Sequence, residues 1–250
     1  MSSTNNILLH QAIDLTAHLP WSKQGYTIEP LYAREEYVSF QAQTQSLLLH
    51  CWTQAGFSIP QNFELDQYHT LAPDFETHLK AVEQTRLLPA SLFPRGIEQL
   101  ENRISELLSV PVQVFNPWDK ASVFHFRVIR PKAHDNNPLH RDVWLEDYAD
   151  CINLYIPVAG SNEHSSLTLI PGSHHWPEST IERTEAGATV HGIRFNVPAV
   201  TKIYPDHTII RPNPKPNEVL LFSPYLLHGG ATNLNPDTTR ISIEVRLWKK

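Results

Sequence analysis

The stretch Arg240-Ile241-Ser242-Ile243-Glu244-Val245-Arg246-Leu247-Trp248 alternates between polar and apolar residues as far as Leu247. In an extended chain successive side chains point to opposite faces. Arg240, Ser242, Glu244 and Arg246 therefore share one face, and Ile241, Ile243, Val245 and Leu247 share the other. Shorter stretches of strand character precede it: Val112–Phe115, Ser122–Arg130, Cys151–Val158, Ser166–Ile170, Thr201–Tyr204, Thr208–Arg211 and Val219–Phe222. Clusters such as Pro171-Gly172, Pro205-Asp206 and Gly229-Gly230 separate them. Many short strands at near-even spacing predict a β-sandwich or jelly roll.

Before about residue 110 the period changes. Tyr37, Phe40, Leu47 and Leu48 space a helix over Tyr32–Trp52, and Pro73-Asp74 opens a second that runs to about Arg86. Over Gly96–Ser109, Ile97, Leu100, Ile104, Leu107 and Leu108 form one apolar helical stripe, which Pro111 is expected to end. The expectation is one domain over 1–250: a mainly helical flank over 1–110 and a jelly-roll core over 111–250. No Gly-rich phosphate loop follows any strand, which argues against a dinucleotide or P-loop fold.

Composition narrows the function. Charged residues are 18% of the 250, against a usual ~25%, while 41% are hydrophobic, so disorder is excluded for the bulk of the chain. The net charge of −6, with no basic stripe, argues against a general nucleic-acid binder. Cys51 and Cys151 form no CxxC, which excludes a disulfide framework and a thiolate zinc site. Met1–Leu15 lacks the pattern of a signal peptide, and no apolar run is long enough to span a membrane. A soluble, cytoplasmic protein is expected.

The chemistry concentrates in Pro138-Leu139-His140-Arg141-Asp142. On an extended chain His140 and Asp142 face the same way and can offer an imidazole and a carboxylate to one metal. His228, between an apolar strand and Gly229-Gly230, is the candidate third ligand; the glycines would let backbone approach a bound group closely. Two His and one carboxylate on one face of an octahedral ion form the facial triad of non-haem Fe(II) oxygenases. Taken alone, His-x-Asp is more often a surface turn pair. Arg240 and Ser242 on the polar strand face suit the far carboxylate of 2-oxoglutarate, since a guanidinium fork matches carboxylate geometry. A solvated outer face would explain the same alternation.

Taken together, these segments resemble the phytanoyl-CoA dioxygenase (PhyH-like) family of Fe(II)/2-oxoglutarate oxygenases. The residues that carry the resemblance are Pro138–Asp142, Ser166-Leu167-Thr168-Leu169-Ile170-Pro171-Gly172-Ser173-His174, Phe222-Ser223-Pro224 leading to His228-Gly229-Gly230, and Arg240-Ile241-Ser242. It implies a double-stranded β-helix (jelly roll) core, Fe(II) on His140, Asp142 and His228, and 2-oxoglutarate held by Arg240. It also implies a residue near Tyr155 beside the co-substrate. Asn153 and Tyr155 share a strand face, as do His125 and Arg127; cavity lining and ordinary strand patterning compete as explanations. His174-His175 reads as part of a structural turn. Trp144, two residues beyond Asp142, is either a substrate platform or a core aromatic.

The reaction that follows is hydroxylation of a small molecule by O2, with release of succinate and CO2. Related halogenases lack the carboxylate ligand, so Asp142 favours hydroxylation. The stretch 176–200 is long for a jelly-roll connection, as lids are, and it carries Glu178, Glu182, Arg183, Glu185, His191 and Arg194. A polar metabolite, for example a sugar-related or natural-product intermediate, fits better than an acyl-CoA, whose phosphates would want a basic surface. The alternatives are a cupin-like metalloenzyme without 2-oxoglutarate and a non-catalytic jelly-roll binding protein. Oligomeric state is not legible in the sequence.

Overall fold

The computed structural model describes residues 14–250 apart from 136, 146, 147, 186, 191, 192 and 196. Three helices and thirteen strands follow one another in these residues. β1 (Tyr26–Pro30) leads into α1 (Arg34–Gln54), α2 (Phe75–Thr85), β2 (Leu88–Pro89) and α3 (Ile97–Leu108). Then come β3 (Val112–Gln113), β4 (Val123–Ile129), β5 (Cys151–Ala159) and β6 (Thr168–Leu169). The excursion that follows contains β7 (Ile181–Arg183), β8 (Ala188–Val190), β9 (Ile193–Phe195) and β10 (Val200–Ile203). β11 (Glu218–Phe222), β12 (His228–Gly229) and β13 (Arg240–Lys249) complete the chain.

The main sheet runs β1-β11-β5-β13-β4-β2, with β3 pairing the far end of β13. All its pairings are antiparallel. β13 lies at the centre, between β5 and β4, and its register brings the polar residues of three strands together. Ser242 stands opposite Arg127 and Pro157, Glu244 opposite His125 and Tyr155, and Arg246 opposite Asn153. Pro157 cannot donate to the ladder, and the register of the β13–β5 pair shifts between Ile241 and Ser242, beside it; irregularities of this kind are where a sheet tolerates proline.

The apolar face of this sheet packs on the helices. Ile241, Ile243, Val245 and Leu247 of β13 and Ile152, Leu154 and Ile156 of β5 share a core with Phe40, Leu48 and Trp52 of α1 and Leu100, Ile104 and Leu108 of α3. Burying each such side chain stabilises the fold by about 1.5–3 kcal/mol. The stripe expected on α3 is therefore the one that docks. Ser109 ends that helix in a left-handed conformation, φ +53°, two residues before Pro111. α2 starts as expected, with Asp74 Oδ1 accepting from Thr77 N across 2.8 Å.

The opposite, polar face looks onto a second, fragmentary layer. Its seam is centred on a backbone bridge between His140 and His228, continued by β12 with β6 and by a bridge from Leu169 to Ile210. This is a jelly roll whose sheets are not closed. Two sequence expectations change. Thr208–Arg211 is no strand and contributes only the Ile210 bridge; Pro205 before it and Pro212 after it remove the N–H donors a ladder needs. Tyr26–Pro30, in the stretch read as helical, is an edge strand paired with β11. Within 176–200, β7 pairs with β10 and β8 with β9; His191 of that stretch lies outside the described residues. Among the described residues no helix is long and apolar enough to cross a membrane.

Candidate metal centre and its cavity

His140 and His228 exchange backbone hydrogen bonds, His140 N to His228 O at 2.8 Å and His228 N to His140 O at 2.9 Å. That bridge sets the two imidazoles side by side, ring centroids 4.5 Å apart. Each ring is oriented by a carbonyl two residues back: His140 Nδ1 lies 2.7 Å from Pro138 O and His228 Nδ1 lies 2.9 Å from Leu226 O. A carbonyl only accepts, so the proton sits on Nδ1 and the lone pair on Nε2. Arg141 is extended, φ −112° and ψ 138°, so its neighbours His140 and Asp142 point to the same side. Asp142 reaches both rings, with Oδ1 3.4 Å from His140 Nε2 and Oδ2 3.6 Å from His228 Nε2. One ligand atom from each of the three residues falls within 4.8 Å of the others, and all three residues are buried.

Asp142 is fixed from the main sheet. Asn153 Nδ2 donates to its Oδ2 at 2.7 Å and Arg246 Nη2 to its Oδ1 at 3.0 Å. Burial pushes the Asp142 carboxyl up, but Arg246, helped by His228 and His140, outweighs that and holds it well below the usual carboxylate range. Burial takes His228 down to about 4 against the pull of Asp142. A neutral His228 and an ionised Asp142 let a divalent ion bind without first expelling a proton from either. The donor set, N2O, suits non-haem iron(II).

The glycines after His228 are needed for packing within the chain itself. A Cβ on Gly229 would lie 2.7 Å from Pro138 O, and one on Gly230 would lie 2.2 Å from Asp135 Cβ. They admit the segment 135–139 that leads to His140, and both also line the cavity beside the cluster.

The cavity beside the cluster is lined on one side by Asn153, Tyr155, Phe222, Glu244 and Arg246, and on the other by Asp135, Asn137, Leu167 and Gly229. The polar faces of β5 and β13 thus turn inward. Arg240 is 1% exposed and donates Nη2 to Asp135 Oδ2 at 2.6 Å. Its guanidinium also stands over the Tyr155 ring, 5.7 Å from the centroid, and Tyr155 OH pairs with Ser161 Oγ at 2.6 Å. Ser242 Oγ and Arg240 Nε are buried without hydrogen-bond partners. Arg127 bridges Glu244 Oε2, 2.8 Å, and Asp135 Oδ1, 3.2 Å. Sequence reading therefore found Arg240, Ser242 and Tyr155 in one place and missed Asp135, whose partner is 105 residues away.

Trp144 is a packing residue. Asp142–Trp144 turns into a 3-10 helix, so the extended geometry ends at Asp142. The Trp144 ring packs against Ile170, Ile181 and Leu227, its Nε1 donates to Glu178 Oε2 at 3.0 Å, and Arg183 covers its face at 4.6 Å. Glu178 in turn pairs with Arg141, which is fully buried and donates Nη2 to Ser173 O at 2.6 Å. His174 and His175 meet Ser22 O through their Nε2 atoms, at 2.7 and 3.2 Å, in a short 3-10 turn.

Similar folds have been solved. The crystal structure of AviO1 from Streptomyces viridochromogenes Tue57 is 15% identical, with 95% of this chain and 96% of that one covered and a TM-score of 0.52. The non-heme alpha ketoglutarate dependent carbocyclase SnoK from nogalamycin biosynthesis is 16% identical over 92% of this chain and 81% of its own, TM-score 0.50. The epimerase SnoN, in complex with Fe3+, alpha ketoglutarate and nogalamycin RO, is 13% identical over 92% and 80%, TM-score 0.50. No curated protein sequence matches the chain. The model of phytanoyl-CoA dioxygenase (PhyH) matches residues 21–242, nearly all of what has just been described. The chain belongs to the phytanoyl-CoA dioxygenase (PhyH) family, whose members are iron(II)- and 2-oxoglutarate-dependent oxygenases.

Proposed function

We propose that the protein is an Fe(II)- and 2-oxoglutarate-dependent dioxygenase that hydroxylates a polar small molecule. The observation that carries this reading is the convergence of His140 Nε2, His228 Nε2 and an Asp142 oxygen, with both rings already held in the coordinating tautomer. These three residues would hold the iron. Arg240, with Ser242 beside it and Tyr155 under it, would hold the distal carboxylate of 2-oxoglutarate; the unpartnered Ser242 Oγ and Arg240 Nε fit an incoming acceptor.

When bound, iron and 2-oxoglutarate supply the oxidising chemistry: O2 is reduced, the 2-oxo acid leaves as succinate and CO2, and a substrate C–H bond gains oxygen. The chain's own residues do the rest. Asn153 and Arg246 keep Asp142 ionised and aimed at the two rings. Leu167, Phe222 and the Tyr155 ring give the cavity an apolar wall that excludes water. Arg127, Asn137, Glu244 and Arg246 give it a polar wall, which supports a polar substrate rather than a fatty acyl chain. The excursion 176–200, tied to Arg141 and Trp144 through Glu178, is proposed to border the substrate entrance as a lid.

Anaerobic titration of the metal-free protein with Fe(II) and 2-oxoglutarate tests the reading. A weak visible charge-transfer band is expected, absent in His140→Ala and weakened in Arg240→Ala. Iron binding without the band would favour a cupin-like metalloenzyme, and no iron binding a non-catalytic binding protein. SnoK and SnoN are named as a carbocyclase and an epimerase, so product mass decides the outcome. Hydroxylation adds one oxygen atom, ring closure removes two hydrogens, and epimerisation changes nothing. Turnover of fatty acyl-CoA alone would overturn the polar-substrate part.

A further inference from the structure

Asp135 sits where the proposed co-substrate's far carboxylate belongs. Its Oδ2 is 2.6 Å from Arg240 Nη2, and both side chains are almost wholly buried, 3% and 1% exposed. Among the described residues Asp135 is the one ion-pair partner of Arg240. Arg127, its second cation, has Glu244 as an independent partner at 2.8 Å, so Asp135 can leave Arg127 without stranding it. A second carboxylate arriving at Arg240 would meet the first at close range in a poorly screened site, where like charges repel strongly. Asp135 also lines the cavity beside the metal cluster, where an incoming co-substrate would meet it. Gly230, whose backbone abuts the Asp135 side chain, gives that side chain a tight seat but no hydrogen bond.

We propose that Asp135 is an internal competitor for Arg240: 2-oxoglutarate binds by displacing the Asp135 carboxylate, so Asp135 sets the affinity and selectivity for the co-substrate. This inference rests on the oxygenase reading above. It makes Asp135 a specificity-determining residue that touches the co-substrate's anchor and not the metal.

The test is calorimetric titration of the full-length chain loaded with Zn(II), which binds without redox turnover. The probes are 2-oxoglutarate and 2-oxopentanoate, which has the same chain length and no distal carboxylate. Asp135→Asn removes the competing charge and is expected to tighten 2-oxoglutarate on the order of tenfold, the size of one charge-assisted hydrogen bond, with 2-oxopentanoate unchanged. Asp135→Glu, which keeps a carboxylate, is expected to stay near wild type. Unchanged or weaker 2-oxoglutarate binding in a folded Asp135→Asn would overturn the inference. Hydrogen exchange on the wild-type protein gives a second readout that needs no variant. Faster exchange in the peptide holding Ala133–Asp135 when 2-oxoglutarate is added supports displacement; added protection overturns it. If Zn(II) stays bound and neither acid binds the wild-type protein, the co-substrate reading itself fails, and this inference with it.

Discussion

Asn153 donates its side-chain amide to Asp142 across 2.7 Å, tying the carboxylate of the metal cluster to the middle of the main sheet. The amide occupies Oδ2 and Arg246 occupies Oδ1. The carboxylate cannot rotate without breaking one of these bonds. Asn153→Leu keeps the volume and deletes the bond. Loss of an outer-shell partner of this kind typically lowers metal affinity by 10–100-fold, and the same loss is expected here. Titration with Co(II), followed by its visible ligand-field bands, reads it directly; wild-type affinity would show that Arg246 alone suffices.

The Arg141–Glu178 pair is expected to matter for stability. Both side chains are buried, 0% and 5% exposed, so Glu178→Gln leaves a guanidinium without its counter-charge. Breaking such a pair from one side costs about 3–5 kcal/mol. Arg141→Met combined with Glu178→Leu removes both charges and is expected to recover most of that. Urea denaturation of the two variants beside the wild type measures it; equal losses in the single and double variants would refute the desolvation argument.

Ser242→Ala separates folding from ligand binding. The buried Ser242 Oγ has no hydrogen-bond partner, and an unmade bond of this sort costs about 1–3 kcal/mol. Ser242→Ala is therefore expected to leave the metal-free protein as stable as wild type or slightly more so. It is also expected to weaken 2-oxoglutarate several-fold. Thermal melting and calorimetry check the two halves.

Two histidines away from the cluster predict a pH dependence. Burial, reinforced by Arg246, takes His125 down to about 4, and burial with Arg130 does the same to His78. Their hydrogen bonds suit the neutral ring, since Leu87 N donates to His125 Nδ1 at 3.1 Å and Tyr68 OH meets His78 Nδ1 at 3.0 Å. A histidine depressed in the folded state binds fewer protons there than when unfolded, so stability rises with pH. The contribution is complete above about 6.5 and is lost as pH falls toward about 4. Both rings are partly exposed, so about 1 kcal/mol each is expected, or about 2–4 °C of melting temperature each. His125→Gln should flatten the profile between these limits.

Much of this architecture is readable from residue order because the deciding signals are local. The alternation of Arg240–Leu247 reports a two-faced strand wherever it lies, and both faces are used: one against the helices, one toward the cavity. His140 and Asp142 are two residues apart across an extended Arg141, so their shared direction follows from backbone geometry. The partners that tune them do not follow. Asp135 reaches Arg240 and Glu178 reaches Arg141 through tertiary contacts 105 and 37 residues apart, and no spacing rule marks them. Tyr26–Pro30 escaped for another reason: it is an edge strand of five residues, and its alternation of Tyr26 and Ile28 with Thr27 and Glu29 is too short to stand out beside the helical spacing that follows. For Trp144 the sequence left a substrate platform and a core aromatic open; the 3-10 turn at Asp142–Trp144 and its packing favour the second.

The bridge between His140 and His228 has a mechanical consequence. It is the middle rung of a short ladder, with Gly230 N donating to Asn137 O on one side and Asp142 N to Pro224 O on the other, and it joins two points 88 residues apart in the chain. An ion coordinated across that rung would act as a clasp. Unlike a disulfide, it would leave the unfolded chain unconstrained, because the site does not exist there; it would stabilise the folded roll according to its affinity and concentration. Metal loading should then slow proteolysis of the whole segment between the two histidines, and chelators should loosen the roll from that seam first.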